Sequence, residues 1–136
     1  MRLTSLADYA VVMLTAAARY KGDGWLSANA LAEETGVPLA TAQRLSGRLG
    51  AAGLLRSTRG ADGGFALARA AEEISLADII EAVEGPIAMT ACVEQGRHDC
   101  ALEQDCRVRP HWGAVNGAIK GALAGVTLAS LAGEPA

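Results

Sequence analysis

What the chain lacks narrows its class. Aromatic side chains are scarce: the 136 residues include one Phe, two Tyr and two Trp. The core must therefore come from Leu, Val, Ile and Ala, and Ala-rich stretches with few β-branched residues favour helices. No run of about 18 uncharged apolar residues is present, so no membrane span is expected. The start, MRLTSLADYA, has no basic flank, long apolar stretch or cleavage site, so it does not read as a signal peptide and the expected location is cytoplasmic. Cysteines number three, an odd count, and cytosolic thiols stay reduced. Disulfide stapling therefore does not account for them. There is also no nucleophile–base motif, phosphate-binding loop or pair of catalytic carboxylates, so an enzyme is not expected.

Positive charge is lacking overall, with a net charge of −3. Its distribution matters more than the total. Between Pro38 and Arg69 there are five Arg (Arg44, Arg48, Arg56, Arg59 and Arg69) and a single acid, Asp62, a net +4 inside an acidic protein.

The apolar spacing of Leu6, Ala10, Met13, Leu14 and Ala17 predicts a helix over 6–20, with Ser5 and Asp8 as a capping box. Ser27 caps a short helix over 28–34 that Gly36 stops, and Pro38 opens another running to about Gly50. Two short helices joined by Thr35-Gly36-Val37 have the size of a helix-turn-helix. Two strand-like runs follow, Gly53 to Gly60 and Phe65 to Arg69, around a Gly-rich turn, which reads as a hairpin. A basic hairpin directly after a helix-turn-helix is a wing, with Arg59 at its base and Gly60, Gly63 and Gly64 at its tip. Ser75 and Asp78 box the next helix and Ile74 and Ile79 staple it; Gly85-Pro86 ends it. Pro110 starts a long helix to about Leu131, and Trp112, Val115, Ile119, Leu123, Val126 and Leu128 form one apolar stripe along it. Spacings of three and four resemble a coiled-coil seam, so this helix is expected to pair two subunits into a homodimer.

All three cysteines fall in the irregular stretch 87–109, as Cys92-x7-Cys100-x5-Cys106. Thiolates bind soft metals and iron–sulfur clusters. The gaps are wider than those of structural zinc knuckles and suit a larger inorganic core. Arg97, Arg107 and Arg109 lie nearby, either as charges that favour thiolates and offset a thiolate-bound cluster or as solvated surface groups. Three cysteines leave one coordination position open. His111 is the local candidate, Asp8 from a partner subunit's first helix is another, and His98 and Glu94 are weaker. Other readings are a thiol redox sensor without iron and a zinc site of Cys92, Cys100, Cys106 and His111.

These residues resemble a known family, the iron–sulfur winged-helix transcriptional regulators of IscR and NsrR. The resemblance rests on Met1-Arg-Leu-Thr-Ser with Asp8-Tyr9-Ala10, the wing Arg59-Gly60-x-x-Gly63-Gly64-Phe65-x-Leu67, the helix Ala77-Asp78-Ile79-Ile80-Glu81-Ala82 and the three-cysteine loop, and it covers nearly the whole chain. Leu6 to Val12, Glu84 to Ala88, Cys106 to Arg109 with Trp112, and Ile119 to Leu131 look most like the regulators of the SUF cluster-assembly system. The resemblance implies a regulator that senses iron–sulfur or redox status and controls SUF-type genes, with a nitric-oxide-sensing repressor as the alternative. The first cysteine gap is longer here than in IscR and NsrR, and His111 lacks the C-x2-H spacing of IscR. Asp8 sits where NsrR-like members place a carboxylate ligand. Asp8 is therefore favoured over His111, and a 4Fe–4S cluster over 2Fe–2S.

The expected architecture is mainly α with a small hairpin: residues 1–72 a winged helix-turn-helix, 73–109 a connecting helix and cysteine loop, 110–136 a dimerisation helix and tail. Against double-stranded DNA, Thr41, Gln43 and Arg44 are expected at base edges in the major groove. Arg48 and Arg56 are expected on phosphates, Arg59 with Gly60 in the minor groove, and Ser27 with its helix N-terminus on a phosphate.

Overall fold

The computed structural model describes residues 1–20, 25–58 and 64–133. Thr4, rather than Ser5, caps the first helix: its side chain accepts from Ala7 N at 3.1 Å, and α1 runs Ser5–Arg19. Thr4 holds the extended backbone an N-cap needs, while Ser5 is already helical, so the expected Ser5–Asp8 box gives way to a single cap bond from Thr4, one residue earlier. α1 buries Ala7, Ala10, Met13, Leu14 and Ala16.

Ser27 caps α2 (Ala28–Thr35), accepting from Ala30 N at 3.0 Å, and Gly36 ends it in the left-handed region at φ 80°. α3 (Leu39–Ala51) begins after the turn, with Pro38 as its N-cap, one position earlier than expected. α3 turns Ala42, Leu45, Ser46 and Leu49 inward, and the buried Ser46 hydroxyl donates to Ala42 O at 2.7 Å. The hairpin follows as β1 (Leu55–Thr58) and β2 (Gly64–Leu67), antiparallel, with Leu55 opposite Leu67 and Ser57 opposite Phe65. Leu26 and Phe65 exchange two backbone bonds, at 3.1 and 2.7 Å, which tie the start of the helix-turn-helix to the wing. The expectations for Arg59, Gly60 and Gly63 at the wing tip lie outside the described residues.

A 3₁₀ turn (Ala71–Glu73) leads to α4 (Leu76–Glu84), whose Ser75–Asp78 capping box has both bonds at 3.0 Å. Ile74 and Ile79 are fully buried beside it. Beyond a long irregular loop the chain departs from expectation. The single helix expected from Pro110 to Leu131 is two: α5 (Arg109–Ala124) and α6 (Leu128–Ala132). Between them Leu76 N donates to Val126 O and Leu128 N to Ile74 O, both at 2.8 Å, and Thr127 caps α6. These bonds satisfy backbone groups of 74–76 and carry Leu128 to full burial, a gain an unbroken helix could not make. α6 then packs on α1, where Arg19 Nε donates to Ala132 O at 2.7 Å.

The core thus combines α1–α4, the hairpin and Leu128, as a winged helix-turn-helix should. α5 buries none of its residues within the chain. No described helix is long and apolar enough to cross a membrane.

Candidate nucleic-acid interface and cysteine loop

The buried side of α3 fixes its outer side. With Leu45 and Leu49 inward, Gln43 and Arg44 stand exposed and Thr41 is half-buried. Arg56, on β1, is exposed, and its guanidinium lies 5.4 Å from the centre of the Trp25 ring. Such stacking holds a cation in place without neutralising it. Ser27 Oγ is engaged in capping its own helix. Arg48 is exposed, but its Nη1 donates to Val83 O of α4 at 3.1 Å, so this expected phosphate contact is turned toward α4. Trp25 was not foreseen as a site residue.

The loop from Gly85 to Val108 holds the cysteines between α4 and α5. Gly85 starts it at φ 87°, a backbone that strains any residue with a Cβ although there is room for one. Its first stretch is stitched down by polar groups. Ile87 N donates to Glu81 Oε2 at 3.0 Å, Met89 N to Asn116 Oδ1 at 2.7 Å, and Asn116 Nδ2 to Ile87 O at 2.9 Å. Lys120 Nζ lies 3.4 Å from Glu81 Oε1 and completes the tie to α5. Glu81, Asn116 and Lys120 also escaped the sequence reading. An Asn and a Lys four residues apart, in a helix that beyond His111 is otherwise of small and apolar residues, were the available signal.

Further along, the loop folds back on itself. His98 N donates to Ala91 O and Gly96 N to Val93 O, each at 2.6 Å. A Cβ on Gly96 would stand 2.5 Å from Ala91 O, so the close backbone approach requires glycine. Val93, inside this turn, is buried. His98 Nδ1 donates to Glu103 Oε1 at 2.6 Å, and Arg109 Nη2 lies 3.5 Å from the same oxygen. The Glu103 carboxylate is the main cause holding the His98 imidazole above its usual pKa, helped by Glu94 O.

The three cysteines are free thiols: Cys92 and Cys106 half-buried, Cys100 exposed. Cys92 Sγ shares a hydrogen bond with Thr90 Oγ1 at 3.1 Å. Among the described residues no three His, Cys, Asp or Glu side chains converge as a metal-holding group. The loop thus carries the right donors without drawing them together. Asp8 is exposed on the first turn of α1, and its carboxylate bonds to none of the described residues. His111 is exposed on the first turn of α5, and His98 is already committed to Glu103.

A helix-turn-helix backed by a stapled core, followed by a two-strand wing and flanked by exposed Arg, defines a winged-helix DNA-binding regulator. The chain belongs to the Rrf2 family, described as iron-dependent transcriptional regulators, whose pattern it matches over residues 3–134. It is 34% identical over 131 residues to the HTH-type transcriptional regulator IscR of Serratia proteamaculans (strain 568), covering 96% of this chain and 79% of that one. Among solved structures it resembles CymR (YrzC), the global cysteine regulator of B. subtilis, with a TM-score of 0.74, 27% identity and coverage of 97% and 96%. It also resembles T. potens IscR, with a TM-score of 0.72, 27% identity and coverage of 96% and 85%. The oxidized form of Staphylococcus aureus CymR matches with a TM-score of 0.73 at 30% identity, covering 100% and 99%. The chain is an IscR-like transcriptional regulator that binds double-stranded DNA, and these relatives are regulators rather than enzymes.

Proposed function

We propose that this regulator is a homodimer whose grip on DNA is set by an iron–sulfur cluster held by Cys92, Cys100 and Cys106, and that its targets are SUF-type cluster-assembly genes. The observation that carries the reading is the concentration of every cysteine, as free thiols, on one irregular loop of a chain in an iron-dependent family. The donor chemistry fits a cluster, since three thiolates on pliable backbone can close around an inorganic core. Asp8 of the partner subunit supplies the fourth ligand, with His111 as the alternative. 4Fe–4S is favoured over 2Fe–2S. When bound, the group supplies a cross-link that iron supply and oxidants make or break.

The rest is done by the chain's own residues. Residues 1–72 read DNA: Thr41, Gln43 and Arg44 meet base edges, Arg56 meets phosphate, Ser27 with the start of α2 meets a second phosphate, and Arg59 with Gly60 enters the minor groove. Residues 73–109 carry the sensing loop. Trp112, Val115, Ile119 and Leu123 of α5 pair with a second copy, which would complete the burial of a stripe only partly covered in the single chain. Altering the spacing of two reading helices needs little energy, since a tenfold change in affinity is about 1.4 kcal/mol.

The test is anaerobic purification with iron and acid-labile sulfide analysis, an absorption spectrum and light scattering. The expected result is a coloured dimer with both elements present, lost in Cys92→Ser. A colourless protein without metal after reconstitution overturns the cluster reading. A second reading, a thiol switch, is favoured by the likeness to a CymR solved in an oxidized form. In that case oxidant alone would cross-link the thiols and change DNA affinity without iron.

A further inference from the structure

The C-terminal end of α4 is a junction. Within four residues it meets every part of the molecule that signalling would need to connect. Thr4, the cap of α1, donates its hydroxyl to Glu84. Glu81 receives the first stretch of the cysteine loop through Ile87 N, and α5 through Lys120. Arg48, from the last turn of α3, donates to Val83 O. Gly85 N closes the helix on Glu81 O, so Val83 O lies outside the helical ladder and awaits a donor. A guanidinium suits this place twice over, as a charged hydrogen-bond donor and as a cation at the negative end of a helix dipole. One residue after Glu84, the chain reverses at Gly85 and enters the loop.

Arg48 stands seven residues after Thr41 and four after Arg44, at the edge of the reading face of α3 where it borders α4. By sequence it belongs with the DNA-contacting arginines. By geometry one nitrogen of its guanidinium, Nη1, is bonded to the backbone of α4. We propose that Arg48 is a positioning residue rather than a DNA contact: its bond to Val83 O seats α3 on the α4–loop junction, so the state of the cysteine loop reaches the reading helix. The proposal rests on the regulator reading above for its function, and on the Arg48–Val83 bond alone for its mechanics. When the loop tightens or loosens, it moves the last turn of α4 through Gly85 and Glu81, and α3 follows because Arg48 holds it there.

The experiment compares Arg48→Gln with Arg56→Gln in binding of a promoter duplex across a salt series, for the iron-free and the iron-reconstituted dimer. Removing a phosphate contact lowers the slope of log affinity against log salt by about one. Arg56→Gln is expected to show that fall. Arg48→Gln is expected to keep the wild-type slope, while the affinity ratio between the two forms shrinks about threefold or more. Hydrogen exchange on the iron-free protein is the second readout, with amides of 84–89 expected to exchange faster in Arg48→Gln. A slope lowered by about one with the ratio and exchange unchanged would overturn the proposal and make Arg48 a phosphate ligand. If wild type binds DNA equally with and without iron, the sensing proposal falls. Exchange at 84–89 then decides Arg48 by itself: faster exchange upholds the strut, and unchanged exchange refutes it. Arg48→Met, which likewise removes both the charge and the donor, serves as the second variant should the glutamine form fold poorly, with the same outcomes.

Discussion

The part of the molecule that reads DNA and the part that carries the cysteines are held together by different forces. From α1 to α4 the chain rests on apolar burial: Met13, Leu14, Leu31, Leu45, Leu49, Leu54, Ile74 and Ile79 are all sealed from solvent. After Val83, only Val93 and Leu128 join them among the described residues. The loop and α5 are held instead by Glu81, Asn116, Lys120, Glu103, His98 and Arg109, most of them reachable by water. Apolar burial contributes about 1.5–3 kcal/mol per large side chain, while a net hydrogen bond contributes about 1 kcal/mol. A frame built the first way keeps its shape. A loop built the second way opens at low cost, as a sensing element must.

The contrast is most directly attacked by truncation on each side. Leu45→Ala, in the sealed face of α3, is expected to cost about 2–5 kcal/mol in urea or thermal unfolding. Val115→Ala, on α5 where the side chain is 39% exposed, is expected to cost less than about 0.5 kcal/mol at a dilution where the chain is monomeric. Equal costs would mean that the two regions share one core. Next in size is Asn116→Ala, which removes both bonds to the 87–89 stretch and is expected to loosen it by about 1–3 kcal/mol. Hydrogen exchange checks this: amides of 87–89 should speed up while those of α1 to α3 hold. A uniform rise across the chain would break the division.

The smallest effect is expected from pH. His98 is raised above its ordinary value of 6.5, chiefly by Glu103, so its contribution to loop order is full below pH 6.5 and is lost as pH rises above that through the raised value. In iron-free protein, protection of amides 91–105 should therefore fall from about pH 5 to about pH 8. His98→Gln should flatten the dependence. The group is 44% exposed, so the change is modest. A wild-type loop indifferent to pH would show that the His98–Glu103 contact contributes nothing to its order.

Much of this was legible in the residues because it depends on near neighbours. Ser27, Gly36 and the Ser75–Asp78 box mark helix ends by short-range hydrogen bonding. The period of Ala42, Leu45 and Leu49 shows which side of α3 turns inward. The hairpin strands followed from two strand-like runs on either side of a Gly-rich turn. The cap of α1 was read one residue late, since Thr4 and Ser5 are equally good caps and only the path of the preceding backbone chooses between them. The 126–128 break was missed because an apolar stripe says nothing about which partner it meets. Glu103 was invisible for a related reason, and Asn116 stood out only as a polar residue among small ones, since a polar residue shows its importance only once its partner is known.

What the residue order determined by itself is the local grammar: most helix starts and stops, the turn after α2, the two strands of the hairpin and the gathering of all thiols in one stretch. Each is encoded within a few positions, where backbone preference and side-chain size act directly. Tertiary structure alone decided that Val126 and Leu128 return to pair with 74–76, that Glu81 and Asn116 pin the loop, and that Arg48 reaches α4. Apart from the six positions between Glu81 and Ile87, these contacts join groups 27 to 54 positions apart, and they form only when the packed core brings their backbones within reach.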